Sequence, residues 1–386
     1  MYWQKINMSV KSATAIIDSQ ALLNNVSVIK SLAPQSKVLA VLKANAYGHG
    51  LERIAKILSC ADDCADAFGV ARLDEALALR AAGVKEAIVL LEGFFSAEDL
   101  ATIAKHNFET VVHNKEQLIA IENANLSRPL KVWLKVDTGM HRLGVEPKEF
   151  ETYYQALSQC KNVQKKLILM SHLASADIAN SKETQQQYEL FEQLTTHLEE
   201  DKSLANSAAI IAWEKCHYQW VRPGLMVYGV SPMSSPMPLA ASTEALSSTA
   251  SAEESPLVLK PVMTLKASLI SVRNLPKGEP VGYGGTWISE QKTVIGVIAI
   301  GYGDGYPRHA KNGTPVLLNG RRVPIVGRVS MDMVTVDLGN KSLDKVGDLA
   351  TLWGDKLSVA EIASCADTIP YELLCNITRR VKVTVV

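Results

Sequence analysis

The sequence predicts an α/β protein in which an N-terminal (β/α)8 barrel is followed by a mostly β C-terminal domain. Two observations support this class. Short apolar runs alternate with amphipathic helical patterns over residues 37–228, and beyond Pro261 helical patterns become scarce while strand-like runs are separated by Gly, Pro and Asn. Runs that are apolar throughout are typical of parallel strands buried on both faces, and about eight such units close a barrel.

The barrel strands are predicted from the apolar runs in order along the chain. Residues 38–42, 67–71, 87–91, 110–112, 132–136 and 167–170 are well marked, whereas residues 206–209 and 224–228 are weaker candidates. We therefore expect residues 14–230 to form the barrel and residues 257–386 to form the C-terminal β domain. Residues 1–13 are expected to associate with the C-terminal domain, and the Ser/Pro/Ala-rich residues 231–256 to form a linker or insert.

The composition narrows the class of partner. In the 386-residue chain 40 Lys and Arg residues balance 40 Asp and Glu residues, so no net field favours nucleic acid or an anionic membrane. No run approaches the ~18 apolar residues of a membrane span, and residues 1–7 lack the apolar core of a signal peptide. The six cysteines are scattered, which is typical of free thiols in a reducing compartment. We expect a cytoplasmic protein without a metal site, acting on a small uncharged or zwitterionic molecule.

A lysine closes the first predicted barrel strand. Lys43 follows five apolar residues, and in a parallel barrel the carboxyl ends of the strands build the active site. A lysine that is partly removed from water there is suited to Schiff-base chemistry. Position alone leaves another interpretation open, since strand-end lysines more often extend into solvent. Chemistry is favoured because polar groups recur at the ends of successive predicted strands: Lys135, Asp137, Arg142, Ser171, His172, Asn206, Ser207 and Arg222.

Six segments together resemble the motif series of the alanine racemases. They occur in the family's order and span nearly the whole chain. The segments are residues 42–50 (LKANAYGHG), 137–144 (DTGMHRLG), 222–224 (RPG), 281–287 (VGYGGTW), 301–306 (GYGDGY) and 331–332 (MD). The first segment also marks smaller pyridoxal-phosphate proteins, whereas the full series across two domains is specific to the racemases.

The resemblance implies an activity and a quaternary structure. The implied activity is the interconversion of L- and D-alanine, which supplies D-alanine for peptidoglycan, with pyridoxal 5′-phosphate carried by Lys43. The implied assembly is a homodimer in which Tyr283 of one subunit enters the active site of the other. Lys43 and Tyr283 would then alternate as acid and base on opposite faces of the substrate. His172 would link Tyr283 towards Arg222, and Arg222 would face the pyridine nitrogen, which an arginine does not protonate.

The same resemblance implies binding roles. The cofactor phosphate would be held by Tyr47, Ser207, Tyr371 and the backbone N–H groups of Gly224 and Leu225. Arg142 and the backbone at Met331 would receive the substrate carboxylate, and Tyr302 would narrow the entrance. Lys135 is a candidate for carbamylation, which would replace a cation beside Arg142 with an anion.

Two features depart from the family pattern. His141, next to Arg142, occupies a position that is usually small, and residues 231–256 are longer than the pattern predicts at this junction. Two other functions stay open at this point. One is a racemase of broader specificity or a fold-related amino-acid decarboxylase. The other is a non-catalytic pyridoxal-phosphate-binding protein, a class that generally lacks the second domain with Tyr283 and Met331.

Overall fold

The chain divides into a barrel unit, Leu23–Leu259, and a β unit formed by Met1–Leu22 with Lys260–Val386. The computed structural model describes residues 10–60, 65–233 and 258–386. Most of the expected linker or insert, residues 231–256, lies outside the described residues, as do residues 1–9 of the expected N-terminal segment. Among the helices that are described, none has the length and hydropathy of a membrane span.

The first strand, β1 (Thr14–Ile17), belongs to the β unit. It pairs antiparallel with residues 263–266 and parallel with residues 382–385. This differs from the expected barrel boundary at residue 14. The reason is visible in the burial of the strand: Ala15 and Ile17 are buried while Thr14 and Ile16 are only partly so. One buried face suits a sheet covered on one side, whereas barrel strands are buried on both faces.

Eight parallel strands close into the barrel, which confirms the predicted fold class. Each strand pairs with the next along the chain, and the first pairs with the last. The strands are β2 (Lys37–Val41), β3 (Ala67–Val70), β4 (Ala87–Leu90), β5 (Glu109–Val112), β6 (Val132–Lys135), β7 (Ile168–Met170), β8 (Asp201–Asn206) and β9 (Trp220–Arg222). Their burial is nearly continuous, as the apolar runs predict.

Helices connect the strands and cover the barrel with apolar faces. In α3, for example, Leu51, Ile54, Ala55 and Leu58 are buried at helical spacing. The helices of this part of the chain are α1 (Ser19–Leu32), α2 (Lys43–Tyr47), α3 (Leu51–Cys60), α4 (Leu73–Ala81), α5 (Asp99–His106), α6 (Lys115–Asn123), α7 (Phe150–Gln159), α8 (Lys182–Thr195) and α9 (Ser207–Ala212). Of these, α2 is a left-handed turn and is described with the site.

The last two barrel strands lie earlier in the chain than the apolar runs predict. The run at 206–209 is the end of β8 and the start of α9, because the Asn206 side chain accepts the Ala209 N–H and caps that helix. The run at 224–228 is a buried 3₁₀ turn, Leu225–Tyr228, that follows β9. Both predictions were wrong because a short apolar run can be a buried helix as well as a strand.

The β unit is built around one long strand, β10 (Met263–Leu275). Its first half lies between β1 and β17, and after a register shift between Leu269 and Ser271 its second half pairs with β13. The other strands are β11 (Pro280–Val281), β12 (Trp287–Ile288), β13 (Thr293–Ile298), β14 (Pro315–Leu318), β15 (Arg321–Pro324), β16 (Val334–Asp337), β17 (Leu349–Trp353) and β18 (Lys382–Val385), with helices α10 (Val359–Cys365) and α11 (Pro370–Cys375).

Candidate active site

Five polar side chains meet at the carboxyl ends of the barrel strands. Lys43 follows β2, Lys135 ends β6, Arg142 lies in the next loop, His172 follows β7 and Arg222 ends β9. The pKa of Lys135 falls from 10.5 to about 8, first because the amine is buried. The positive charges of Arg222, Arg142 and Lys43 lower it further, which shows that these groups lie near one another. The structure therefore brings together the barrel residues predicted to do chemistry.

This cluster carries an excess of positive charge. Within residues 10–60, 65–233 and 258–386, no carboxylate forms an ion pair with Lys43, Lys135, Arg142 or Arg222. The neighbouring carboxylate of Asp137 is engaged elsewhere, since its Oδ1 accepts backbone N–H groups at residues 139, 140 and 141 at 2.9–3.1 Å. Lys135 and Arg222 are buried, whereas Lys43 and Arg142 are not. Because buried charges are costly unless they are paired, the cluster is suited to an anionic ligand.

Arg222 is fixed by four contacts around its buried guanidinium. Nη1 donates to Ser203 Oγ at 2.6 Å, and Nη2 donates to the carbonyl oxygens of Ser171 at 2.6 Å and Leu204 at 3.4 Å. Nη2 also lies 3.4 Å from His172 Nδ1. Burial lowers the pKa of Arg222 to about 10, which leaves it charged at neutral pH. Because a guanidinium only donates, His172 Nδ1 is the acceptor of this contact.

His172 is consequently a neutral imidazole with its proton on Nε2. Burial, followed by the positive charges of Arg222 and Lys135, holds its pKa well below the ordinary value. With Nδ1 facing the Arg222 donor, the remaining nitrogen Nε2 carries the hydrogen. The geometry therefore makes His172 a hydrogen-bond donor through Nε2. Its ring connects Arg222, which is bound at Nδ1, to the group that accepts the Nε2 hydrogen.

The backbone after Lys43 forms a left-handed helical turn. Four consecutive residues, Ala44 to Tyr47, have φ between 49° and 56°, and Gly48 follows with φ 77°. Left-handed helix costs non-glycine residues roughly 1–2 kcal/mol each, so such a turn persists only where neighbours hold it. Glu75 Oε1 accepts the Ala44 N–H at 2.7 Å. The turn places Lys43 at its start and Tyr47 at its end.

Tyr47, Ser207 and Gly224 form a small polar cradle beside this turn. Ser207 Oγ accepts the Gly224 N–H at 2.9 Å and lies 3.4 Å from the Met226 nitrogen. A Cβ atom at position 224 would lie 2.6 Å from Tyr47 Oη, so only glycine leaves room for that hydroxyl. Leu225 continues the same buried segment. A cradle of hydroxyl and amide groups next to unpaired positive charge fits a phosphate-bearing cofactor attached to a lysine.

The remaining predicted site residues lie on the β unit. Tyr302 and Met331 are held together by their backbones, because Tyr302 N donates to Ser330 O at 3.1 Å and Gly303 N donates to Met331 O at 2.9 Å. Tyr283 lies in the turn between β11 and β12, and Tyr371 in the first turn of α11. The structure thus joins Tyr302 to Met331 and places Tyr283 and Tyr371 on separate elements of that unit.

Comparison with known proteins identifies the family. The model of the alanine racemase N-terminal domain matches residues 17–232, and that of the C-terminal domain matches residues 262–385. This chain belongs to the alanine racemase family. The alanine racemase of Vibrio vulnificus (strain CMCP6) is 53% identical over 375 residues, which cover 97% of this chain and 99% of that protein. The "Alanine racemase, biosynthetic" of Escherichia coli O6:H1 (strain CFT073) is 50% identical over 372 residues, covering 96% and 98%.

Solved alanine racemases share the architecture. The biosynthetic alanine racemase from Pseudomonas aeruginosa superposes with a TM-score of 0.89 at 42% identity, covering 97% of this chain and 99% of that one. The alanine racemase from Bartonella henselae with covalently bound pyridoxal phosphate superposes with a TM-score of 0.83 at 29% identity, covering 97% and 100%. The resemblance inferred from the motifs is therefore confirmed, and so is the fold class.

One buried glutamine in this family member was missed from the sequence. Gln187 of α8 donates from Nε2 to His172 O at 2.9 Å, and its Oε1 accepts the Ala174 N–H at 2.9 Å. Its Nε2 is also 3.5 Å from Thr138 Oγ1. The amide thereby fixes the loop that carries His172. A signal was present, because Thr184, Gln187 and Phe191 share the spacing of one buried helix face, where a glutamine needs partners.

An arginine on the β unit was also missed. Arg380 Nη2 lies 2.6 Å from Asp332 Oδ1, and Arg380 Nε lies 3.3 Å from Asp304 Oδ1. Asp304 Oδ2 in turn accepts the Gly301 N–H at 3.0 Å. Arg380 therefore links the turn that carries Tyr302 to the loop that carries Met331. Sequence spacing offered no signal for this link, because Arg380 lies 48 residues from Asp332.

Proposed function

We propose that this chain is an alanine racemase, an amino-acid isomerase, that uses pyridoxal 5′-phosphate on Lys43 to interconvert L- and D-alanine. The observation that carries the proposal is the arrangement of groups at the barrel mouth. Lys43 follows β2 and lies within a cluster of cations that has no carboxylate partner among the described residues. The Tyr47–Ser207–Gly224 cradle lies beside it. The names of the relatives support the same activity.

The cofactor would be held by residues of both the turn and the cradle. Lys43 would bond it covalently. The similar alanine racemase from Bartonella henselae holds pyridoxal phosphate covalently, which supports this proposal. Tyr47, Ser207, Tyr371 and the backbone at Gly224 and Leu225 would bind the phosphate. When bound, pyridoxal phosphate supplies an electron sink for the carbanion left by removal of the α-proton.

Two bases on opposite faces of the substrate would invert the centre. Lys43 would remove or return the proton on one face, and Tyr283 of the partner subunit would do so on the other. His172 supports this role, because its Nδ1 faces Arg222 while its Nε2–H, which has no partner in the described part of the chain, can donate to the Tyr283 oxygen. A hydrogen bond from Nε2–H would stabilise the phenolate form that takes the proton.

Arg222 would set the electronic character of the cofactor ring. Its guanidinium keeps its proton at neutral pH and faces the ring nitrogen in the proposed pose. The ring nitrogen would therefore stay unprotonated, which weakens the electron sink and disfavours competing reactions such as transamination. Ser203 and Ser171 hold the guanidinium in place through the two 2.6 Å hydrogen bonds.

Substrate binding would use charge on the barrel side and backbone on the β unit. Arg142 and the backbone at Met331 would bind the alanine carboxylate, and Tyr302 would narrow the entrance. Lys135 is suited to carbamylation, since carbon dioxide adds to a neutral amine and a pKa of about 8 leaves roughly half of the amine neutral at pH 8. Loss of a proton from the adduct gives an anion that would hold Arg142 by a charge-assisted hydrogen bond.

The biological setting follows from the same assignment. We place the enzyme in the cytoplasm as a homodimer that supplies D-alanine for peptidoglycan. The scattered cysteines support this location, because free thiols are typical of a reducing compartment. The relative from Escherichia coli is named as biosynthetic.

Chiral analysis of products tests the proposed function. The chain, loaded with pyridoxal phosphate, is incubated with L-alanine and, in parallel, with D-alanine, serine, lysine and arginine. We expect both alanine reactions to reach the same mixture of enantiomers, and Lys43→Ala to show neither racemisation nor the visible absorbance of the lysine-bound cofactor. Formation of an amine would indicate a decarboxylase, and unchanged L-alanine would indicate a non-catalytic binding protein. Faster turnover of another amino acid would indicate broader specificity, with His141 beside Arg142 as the first residue to vary.

A further inference from the structure

His49 is a buried side chain of the LKANAYGHG segment to which the proposed mechanism gives no role. It is 1% exposed, and its Nδ1 lies 2.8 Å from Tyr47 O and 3.1 Å from Ala46 O. Both contacts are carbonyl oxygens, which only accept, so Nδ1 carries the proton and donates to both. Among the described residues its other nitrogen, Nε2, has no hydrogen-bond partner.

The contacts of His49 coincide with the strained part of the backbone. Ala46 and Tyr47 are the last two non-glycine residues of the left-handed turn, with φ 52° and 49°. The His49 ring also stacks on the Tyr228 ring at 4.5 Å, and Tyr228 stacks on Tyr47 at 4.8 Å. The His49 imidazole therefore contacts the end of the turn directly, through its hydrogen bonds. It is also connected to the Tyr47 side chain through the ring of Tyr228.

Burial keeps this donor in one form. The pKa of His49 falls to about 4, chiefly because the ring is removed from water, so the imidazole is neutral throughout the physiological range. A neutral ring with its hydrogen on Nδ1 gives one constant donor for the two carbonyl groups. These properties suit a fixed structural bond at the site rather than proton transfer.

We propose that His49 is a positioning residue: by donating Nδ1–H to the carbonyl groups of Ala46 and Tyr47 it locks the left-handed turn that aims Lys43 and Tyr47 at the cofactor. The inference rests on the proposed function, because it takes Lys43 and Tyr47 as cofactor-binding groups. Loss of the lock leaves the barrel folded and lets the turn relax, which separates the two groups from their bound positions.

Two isosteric substitutions distinguish this role from simple packing. In His49→Asn the side-chain nitrogen can occupy the place of Nδ1 and keep the donor, whereas in His49→Gln it reaches the place of Nε2 and the bond to the turn is lost. His49→Leu removes both nitrogens and keeps an apolar bulk. As a matched control, His217→Leu removes another largely buried imidazole of the barrel unit, whose Nε2 lies 3.1 Å from Ile210 O in α9 rather than from a carbonyl group of the turn.

The readout is the dissociation constant of pyridoxal 5′-phosphate from the stripped full-length chain, followed by fluorescence quenching, together with the melting temperature of the stripped protein. We expect His49→Gln and His49→Leu to weaken binding by about tenfold or more and His49→Asn by less than about threefold, because small displacements of positioned groups are costly. His217→Leu should lower the melting temperature and leave the dissociation constant unchanged.

The outcomes separate the two proposals. Equal dissociation constants for His49→Asn and His49→Gln would overturn the positioning role. So would a weakening of cofactor binding in all three His49 variants that parallels the decrease in their melting temperatures. Failure of the unsubstituted chain to bind pyridoxal phosphate at Lys43 would instead overturn the proposed function.

Discussion

The barrel mouth and the β unit hold their predicted site residues in different ways. At the barrel mouth Arg222 and Ser207 are buried and hydrogen-bonded, as in the hydrogen bonds of Arg222 to Ser203 and Ser171. On the β unit the backbone is held while the side chains stay open: Tyr283 is 73% exposed, Met331 52% and Tyr302 39%. Exposed aromatic and apolar groups of this kind are typical of surfaces that meet another molecule. The buried groups of the barrel mouth are thus preorganised within the chain, whereas the open groups of the β unit agree with the proposal that a second copy completes the site.

Mixing subunits gives the sharpest test of this difference. Lys43→Ala subunits and Tyr283→Phe subunits are co-expressed with different affinity tags, and the mixed dimer is purified. Each substituted homodimer should be nearly inactive, with Lys43→Ala losing roughly 10⁴-fold or more in kcat. The mixed dimer should regain about half of the unsubstituted activity, because one of its two shared sites carries both substitutions and the other carries none. Mixed dimers as inactive as their parents would show that each site is built from a single chain.

Tyr283→Phe alone tests the division of labour between the two bases. We expect exchange of the α-proton of L-alanine with solvent to fall by about 10²–10⁴-fold, the range for loss of a general base, while D-alanine continues to exchange. The melting temperature should change little, since the substitution removes only a hydroxyl from a side chain that is 73% exposed in the single chain. The measurement is deuterium incorporation into each enantiomer by NMR. Equal losses for the two enantiomers would contradict the two-base scheme.

The buried cation at the barrel mouth predicts a pH-dependent stability. Below pH 8 Lys135 is protonated in both the folded and the unfolded chain, so the folded state bears the cost of a buried charge. Between pH 8 and 10.5 the unfolded chain binds more protons, so this residue makes the free energy of unfolding rise with pH. Lowering its pKa from 10.5 to about 8 corresponds to roughly 3 kcal/mol.

Lys135→Met should therefore be more stable than the unsubstituted chain at pH 7, by up to roughly 3 kcal/mol. The difference should close as the pH approaches 10.5. Urea unfolding at a series of pH values, in buffers freed of carbon dioxide, measures both quantities. A difference that does not vary with pH would refute the assignment of the charge cost to Lys135.

Removing the buried amide of Gln187 should have a moderate effect. Gln187→Met leaves His172 O and the Ala174 N–H without their partner, which we expect to cost about 1–3 kcal/mol in unfolding free energy and to lower kcat by about tenfold. KM should change less, because the proposed function assigns the substrate carboxylate to Arg142 and the backbone at Met331. Gln186→Met, at an exposed position of the same helix, is the control. A loss of stability with unchanged kcat would limit Gln187 to a structural role.

The smallest effect is expected on the β unit, where the half-exposed Arg380 pairs with the half-exposed Asp332 and the buried Asp304, and Asp304 also keeps the Gly301 N–H. Arg380→Gln should raise KM for alanine by about threefold, by loosening Tyr302 against Met331, and should change the unfolding free energy by less than about 1 kcal/mol. Arg379→Gln, at the exposed neighbouring position, should leave KM unchanged. If both variants shift KM equally, the ion pairs with Asp304 and Asp332 do not position the loops.

The sequence by itself determined the fold class and the family. The six well-marked barrel strands could be predicted because strands buried on both faces must be apolar throughout, a property that a single segment displays. The family followed from six motifs in order. The site residues in those motifs could be named by resemblance, although their contacts could not.

Only the tertiary structure decided the features that depend on distant partners. Thr14–Ile17 belongs to the β unit because its partners are the distant residues 263–266 and 382–385. The left-handed turn from Ala44 to Tyr47 contradicts the local preference of its residues and is held by groups such as Glu75 and His49. The lowered pKa of Lys135 depends on its burial and on the charges of Arg222, Arg142 and Lys43. Such properties arise from groups that the fold brings together, so they cannot be predicted from the pattern of residues along the chain.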